Sequence, residues 1–442
     1  MTSPHTPLTS NHPPAAITAA RSPYEQALEA LLTHRGDAAA AVDRALADDP
    51  ADVSAHCLRA AIIVCGDGYA ARGKLAASIA AIEQARPDPH DPARRHAAAA
   101  QAWLVGDTAL ALERYGAIVL DRPRDIVALA AAHALDFRLG RRPMLRHRVA
   151  QAMAAWDPAM PHYASMLAMH AFGLEENGLY GPAEAAARES LALDPRHPGA
   201  IHVLVHVLEM QGRFREGLAL LAATEAAWIE GSGFSVHLAW HRALFHLDAD
   251  EADAALAVYD AQIAPVHDLP ALADASALLW RLMLRNAPTG DRWQRLADHW
   301  EARSLGGARP FYHMHAMMAF AATERAGAAA RTVAALPHAG AGGAASEDTL
   351  ARAFCGAMLA FARGDYGTSI DRLTQVREIA HRCGGSVAQC DVIHLTFTEA
   401  ALRAHRMRLA RALVAERSAQ KPDSRLNRRL AQRVRTLVAA AA

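Results

Sequence analysis

Residues 170–195 read HAFGLEENGLYGPAEAAARESLALDP. The first half is apolar at helical spacing and stops at Asn177-Gly178, where glycine accepts the left-handed backbone that ends a helix. A second helix follows, with the small residues Ala183 and Ala187 four apart on one face. Asp194-Pro195 then halts it, because proline cannot continue a helix. The stretch is a helical hairpin with a turn at each end.

The same punctuation recurs on both sides. Gly106, Gly140, Gly178 and Gly212 are separated by 34, 38 and 34 residues, Asp250 follows by 38, and Gly364 repeats the pattern later. A period near 34 of helix, glycine turn, helix and Asp-Pro turn resembles the tetratricopeptide repeat. One such pair cannot bury its apolar face alone, so neighbours stack into a curved solenoid. From Ser22 on, Ala, Leu, Arg and Glu dominate, and no β-branched alternation interrupts them. The expected fold is all-α: a tetratricopeptide-type α-solenoid over residues 22–442, curled into a compact superhelix, behind a disordered tail at 1–21. The regular repeats are expected over 95–262 and irregular helical repeats over 263–442, with a flexible loop at 338–346 and a basic amphipathic helix capping the C-terminal end.

Composition narrows the function classes. Apolar residues make up 52 % and charged residues 21 % of the chain, as in ordinary soluble domains. Lys+Arg and Asp+Glu both number 46, so nothing advertises a nucleic-acid or membrane partner. Five sparse cysteines fit a reducing, cytoplasmic setting rather than a disulfide framework. No phosphate-cradling glycine loop between a strand and a helix is present. Histidine stands out at 24, more than Phe (10) and Tyr (8) together.

In a repeat of this kind the first helix of each pair lines the concave wall. Counting back from each turn places His133, His170, His202, His206 and His241 near the middle of four consecutive first helices. His202/His206 and His237/His241 are two His-x3-His pairs, and Glu209 follows the first by three residues. Residues three and four apart share a helix face, so His202, His206 and Glu209 form a polar stripe on an apolar helix. Buried imidazoles and carboxylates are costly unless they meet partners.

Three readings follow. In the first, a divalent metal, Zn or Fe, is held by His202, His206, His170 and His237, because His-x3-His offers two nitrogens to one ion and a neighbouring helix completes the set. Glu209, Glu175 and His241 then serve as acid–base groups. In the second, a metal-free pocket binds a polar small molecule, with His133, Glu176, Trp240, Asp274, Arg281 and His315 as further lining. In the third, the solenoid is a scaffold for a peptide or partner protein, and a homodimer is compatible with it. Tetratricopeptide grooves that hold peptides use Lys, Arg and Asn; a His/Glu stripe fits that mode poorly. The main expectation is a small-molecule-handling protein, a metal-dependent enzyme of a biosynthetic or degradative pathway, with the scaffold as the alternative.

The segments HAFGLEENGLY, HVLVHVLEMQGR, HLAWHRALFHL, DASALLWRL, HAMMAF and GGSVAQCD together resemble the tetratricopeptide repeat protein 38 family over roughly residues 95–415. The resemblance implies an all-helical repeat fold and supplies no catalytic residue to carry over. In that family the GGS motif usually continues with His and, after the Gln, with Arg; Val387 and Cys390 stand there in this chain.

Overall fold

A computed structural model describes residues 21–336 and 347–441 apart from positions 67, 87, 89 and 307. The tail read from the sequence, save Arg21, and the 338–346 loop lie outside the described residues. Among the described residues the regular structure is helical, with a single isolated bridge between Arg35 and Ser232.

The chain is a succession of antiparallel helix pairs of tetratricopeptide type. Their starts follow from local chemistry: Asp91, Asp107, Asp125 and Asp268 each accept a backbone N–H of the first turn, and Pro92 and Pro198 sit where no N–H is needed. Their turns are the positions the period named. Gly106, Gly140, Gly178, Gly212 and Gly364 all have positive φ, and so does Asp250. Two of these glycines have a second duty. A Cβ on Gly140 would meet the His381 carbonyl, and one on Gly212 would meet the Asp423 backbone, whereas around Gly178 there is open space.

The stretch 263–442, read as irregular, keeps its hairpins but closes several of them without glycine. Positive-φ turns recur at Asn286, Glu324 and His405, none of which is glycine. An asparagine, a glutamate and a histidine are less comfortable there than glycine, and composition alone does not mark them.

Eight first or closing helices position the site: α1 (Ile126–Arg138), α2 (Tyr163–Glu175), α3 (Pro198–Met210), α4 (Ser235–Ala249), α5 (Leu269–Leu284), α6 (Pro310–Ala322), α7 (Val387–Arg403) and α8 (Met407–Gln420). The C-terminal helix α9 (Arg425–Ala441) follows. Apolar residues of α3 through α8 form one continuous core that includes Trp228, Trp240, Trp280 and Trp300. The superhelix closes on itself at both ends. From the N-terminal side, the Gly36 N–H donates to Gly231 O (2.6 Å) and the Gly233 N–H to His34 O (2.8 Å), and Arg35 pairs with Asp194 at 2.9 Å. From the C-terminal side, the start of α7 reaches α2 and α5: the Val387 N–H donates to Glu176 (3.1 Å) and Arg281 donates to Ala388 O (2.8 Å). Lys421, just after α8, reaches Glu209 at the end of α3 (3.1 Å).

Candidate functional site

Helix α3 is apolar on every side except its stripe. His202 and His206 lie one turn apart there, and His206 is fully buried. Helix α4 presents His237 and His241 one turn apart against them. The two pairs converge. One ring nitrogen from each of His202, His206, His237 and His241 lies within 4.8 Å of the other three. Ring centres are 4.3 Å apart for His202 and His206, 4.6 Å for His206 and His241, and 5.0 Å for His202 and His237.

Each of three rings is fixed from behind by a carboxylate. His241 Nδ1 lies 2.8 Å from Glu209 Oε2, His237 Nδ1 lies 2.8 Å from Asp274 Oδ2, and His206 Nδ1 lies 3.2 Å from Glu175 Oε2. Tying down Nδ1 fixes ring orientation and leaves Nε2 as the free nitrogen. The Nε2 atoms of His202, His206 and His241 are buried and have no hydrogen-bond partner. Aromatic rings hold the cluster laterally: Phe234 stacks on His202 at 4.6 Å and Trp240 on His237 at 5.3 Å. His34, from the N-terminal closure, meets the edge of Phe234 at 4.5 Å.

The electrostatics follow from burial. Dehydration holds His202 and His241 well below the usual imidazole range, reinforced by the neighbouring imidazoles, and lowers His206 to about 4 against the pull of Glu176 and Glu209. The same dryness pushes Glu175 up to about 8, helped by Glu209, and Glu176 up to about 8, helped by Glu175. Arg142 stands 3.3 Å from Glu176 and moderates that rise. His202, His206 and His241 are therefore neutral donors in a poorly hydrated place, with acids behind them.

The structure redistributes the residues expected from sequence. His202, His206 and His237 stand together as read. His241, expected as an acid–base group, joins them as a fourth donor. His170, expected as a ligand, stands outside both groups of neighbouring donors; it is half-buried, with an unpartnered Nδ1. Two positions along from those of His202 and His206 means about 200° around a helix, so it faces away. Glu175 and Glu209 sit one layer back, on imidazole Nδ1 atoms; Glu175, Glu176 and His206 also form a second close group of donors. Asp274 anchors His237. His133 is half-buried, 6.0 Å edge-on to Phe172, and outside the group. His315 spends its Nδ1 on its own helix, 2.8 Å from Phe311 O. Arg281 lies over the Trp240 ring at 5.2 Å.

Sequence reasoning missed Lys421, which lies 212 positions from Glu209. A weak signal was present: Lys421 is one of two lysines in a chain that otherwise uses arginine.

No described helix is long and apolar enough to cross a membrane. No protein-family model matches the chain. Among solved structures the chain is similar to an IFIT1 monomeric mutant with Gppp-AAAA, at 12 % identity and a TM-score of 0.40, covering 93 % of this chain and 100 % of that one. It is also similar to the APC/C hetero-tetramer Cut9-Hcn1, at 10 % identity and a TM-score of 0.35, covering 90 % and 92 %. A third is Naa15/Naa10 bound to HypK-THB, at 12 % identity and a TM-score of 0.19, covering 95 % and 79 %. At these scores the likeness carries no argument; the helical-repeat fold rests on the helix pairs themselves.

Proposed function

We propose that this chain is a metal-dependent, small-molecule-handling protein whose centre is His202, His206, His237 and His241. One observation carries the reading: three of these imidazoles have Nδ1 on a carboxylate, and one ring nitrogen from each of the four lies within 4.8 Å of the others. Carboxylate–histidine pairs of this kind orient metal ligands and raise their basicity. A site of neutral nitrogen donors suits Zn or Fe, and a bound ion would polarise a substrate oxygen or activate water. Glu176, which burial pushes up to about 8, is placed to give up or take a proton one layer behind His206. The closure of the superhelix supports a small ligand over a peptide, since α7, Lys421 and the His34–Gly36 loop all cross the concave side. Membership of the tetratricopeptide repeat protein 38 family belongs to the same proposal.

The test is metal analysis of the full chain purified without a histidine tag. About one equivalent per chain, lost in His202→Ala/His206→Ala, supports the centre. Less than about a tenth of an equivalent after reloading with Zn or Fe rejects it.

A scaffold is the second reading. Its support is an apolar groove between α8 and α9, lined by Val414, Ala415, Ala431, Val434 and Val438. Pull-down with Val438→Glu as control separates this from the first reading.

A further inference from the structure

Behind Glu209, on the side away from the imidazole nitrogens, lies a cavity of about 50 Å³ where α3, α4, α5, α7 and α8 meet. Its charged lining is four cations, Arg281, Arg285, Arg417 and Lys421, and three anions, Glu209, Asp248 and Asp391. The anions are all engaged. Arg417 takes Asp391 with two nitrogens, at 2.5 and 3.2 Å, and Lys421 takes Glu209 at 3.1 Å. Asp248 accepts from the Ser424 hydroxyl (2.8 Å) and from the Leu426 N–H at the start of α9 (3.2 Å).

Arg281 remains without a carboxylate. It is 5 % exposed, and its amines reach only neutral carbonyls, Ala277 O at 3.1 Å and Ala388 O at 2.8 Å. Arg285 gives one nitrogen to Leu247 O (2.6 Å), and its nearest carboxylate, on the largely exposed Asp250, is 3.8 Å away and shared with Arg429. A guanidinium has five N–H donors, so both keep donors in hand. A buried cation without a close counter-charge is costly to maintain; Asp391, Glu209 and Asp274 act on Arg281 only from outside ion-pair distance. Burial accordingly draws Arg285 down to about 10 and lowers Arg281 as well. A fixed fork of guanidinium donors facing a small polar cavity is what a carboxylate or phosphate group fits.

We propose that this cavity is a binding site for a small oxyanion, the carboxylate or phosphate group of a metabolite, with Arg281 and Arg285 as its principal donors. The site goes beyond the histidine centre and does not need a metal. The two are linked through Glu209, one oxygen of which holds His241 while the other holds Lys421. An anion that draws Lys421 toward itself loosens Glu209, so occupancy of the cavity and of the centre are coupled, and by thermodynamic linkage the coupling is reciprocal.

The experiment is calorimetric titration of the full chain, stripped with chelator, using acetate and inorganic phosphate as probes and sodium chloride at matched ionic strength as reference. Saturable binding of one equivalent is expected, weakened at least about tenfold in Arg281→Gln. Because Arg281 also ties α5 to α7, Arg285→Gln at the same cavity is the second variant and should weaken binding several-fold. Preference for acetate assigns a carboxylate ligand; preference for phosphate assigns a phosphate ester; either supports the site. No saturable heat beyond the chloride reference, or binding that survives unchanged in both variants, overturns it. Since metal is absent throughout, failure here leaves the histidine centre standing, and failure of that centre leaves this result standing.

Discussion

His96 and His202 occupy the same place in their repeats, ten residues before Gly106 and Gly212. Their surroundings differ. His96 Nε2 lies 2.9 Å from Asp125, the residue that caps the next first helix, and so ties one repeat to its neighbour. His56, one repeat earlier, has both nitrogens engaged, Nδ1 with Ser78 (3.2 Å) and Nε2 with Pro50 O (3.0 Å). His56 is used up locally as a strut, and His96 serves as one through Nε2 while its buried Nδ1 stays unpartnered. His202 instead faces three other imidazoles, with no proton acceptor or donor for its Nε2. Register in the repeat sets where a side chain points; the residues four positions on and one helix over decide whether it becomes a strut or part of a centre.

Acid is the largest lever on this contrast. His197 is a strut, with Nε2 3.0 Å from the Ser165 hydroxyl and Nδ1 accepting from the Ala200 N–H, and His315 leans on Phe311 O. Burial lowers both to about 4. The folded chain then binds fewer protons than the unfolded chain, so their contribution is complete above about 6.5 and is lost as pH falls toward 4. The loss is of order 3 kcal/mol for each, and thermal unfolding across that window should show a steep fall in midpoint. A flat profile would mean that these struts are hydrated.

Removing His202 and His206 together should abolish metal binding and with it the stabilisation a bound ion confers, about 4 kcal/mol when free metal exceeds its dissociation constant a thousandfold. His96→Ala should keep its metal while losing about 1–3 kcal/mol of stability. If His96→Ala also strips the ion, the division into strut and centre fails. Smaller effects come from the carboxylates. Asp274→Asn and Glu209→Gln should each weaken metal affinity about 10–100-fold without emptying the site, read by competition with a chromophoric chelator.

Much of the fold was legible because glycine is a visible solution to a backbone problem. Gly106, Gly140, Gly178 and Gly212 announced their turns. Asn286, Glu324 and His405 adopt the same left-handed backbone without announcing it. Glu324→Gly is the smallest predicted change, a gain of about 0.5 kcal/mol in urea unfolding, since relief of the left-handed strain slightly exceeds the added chain entropy. The shared face of His202 with His206 and of His237 with His241 was legible too, because spacing within a helix fixes a face; the place of His241 among the donors was not read. His170 misled because equal repeat membership is not equal azimuth. The contacts of Lys421 and Val387 were hidden: they meet the site through the return of the chain over its own wall, and helical periodicity carries no information about such long-range closure.

The short tie between residues 34–36 and 231–233 has a kinetic meaning. An array of stacked hairpins ordinarily frays from its ends inward, each unit leaving without consulting distant ones. Here an early unit is pinned to the loop that introduces α4, so the middle of the array cannot swing open until that clasp lets go. Anything lodged between α3 and α4 should therefore leave more slowly while these two backbone hydrogen bonds hold.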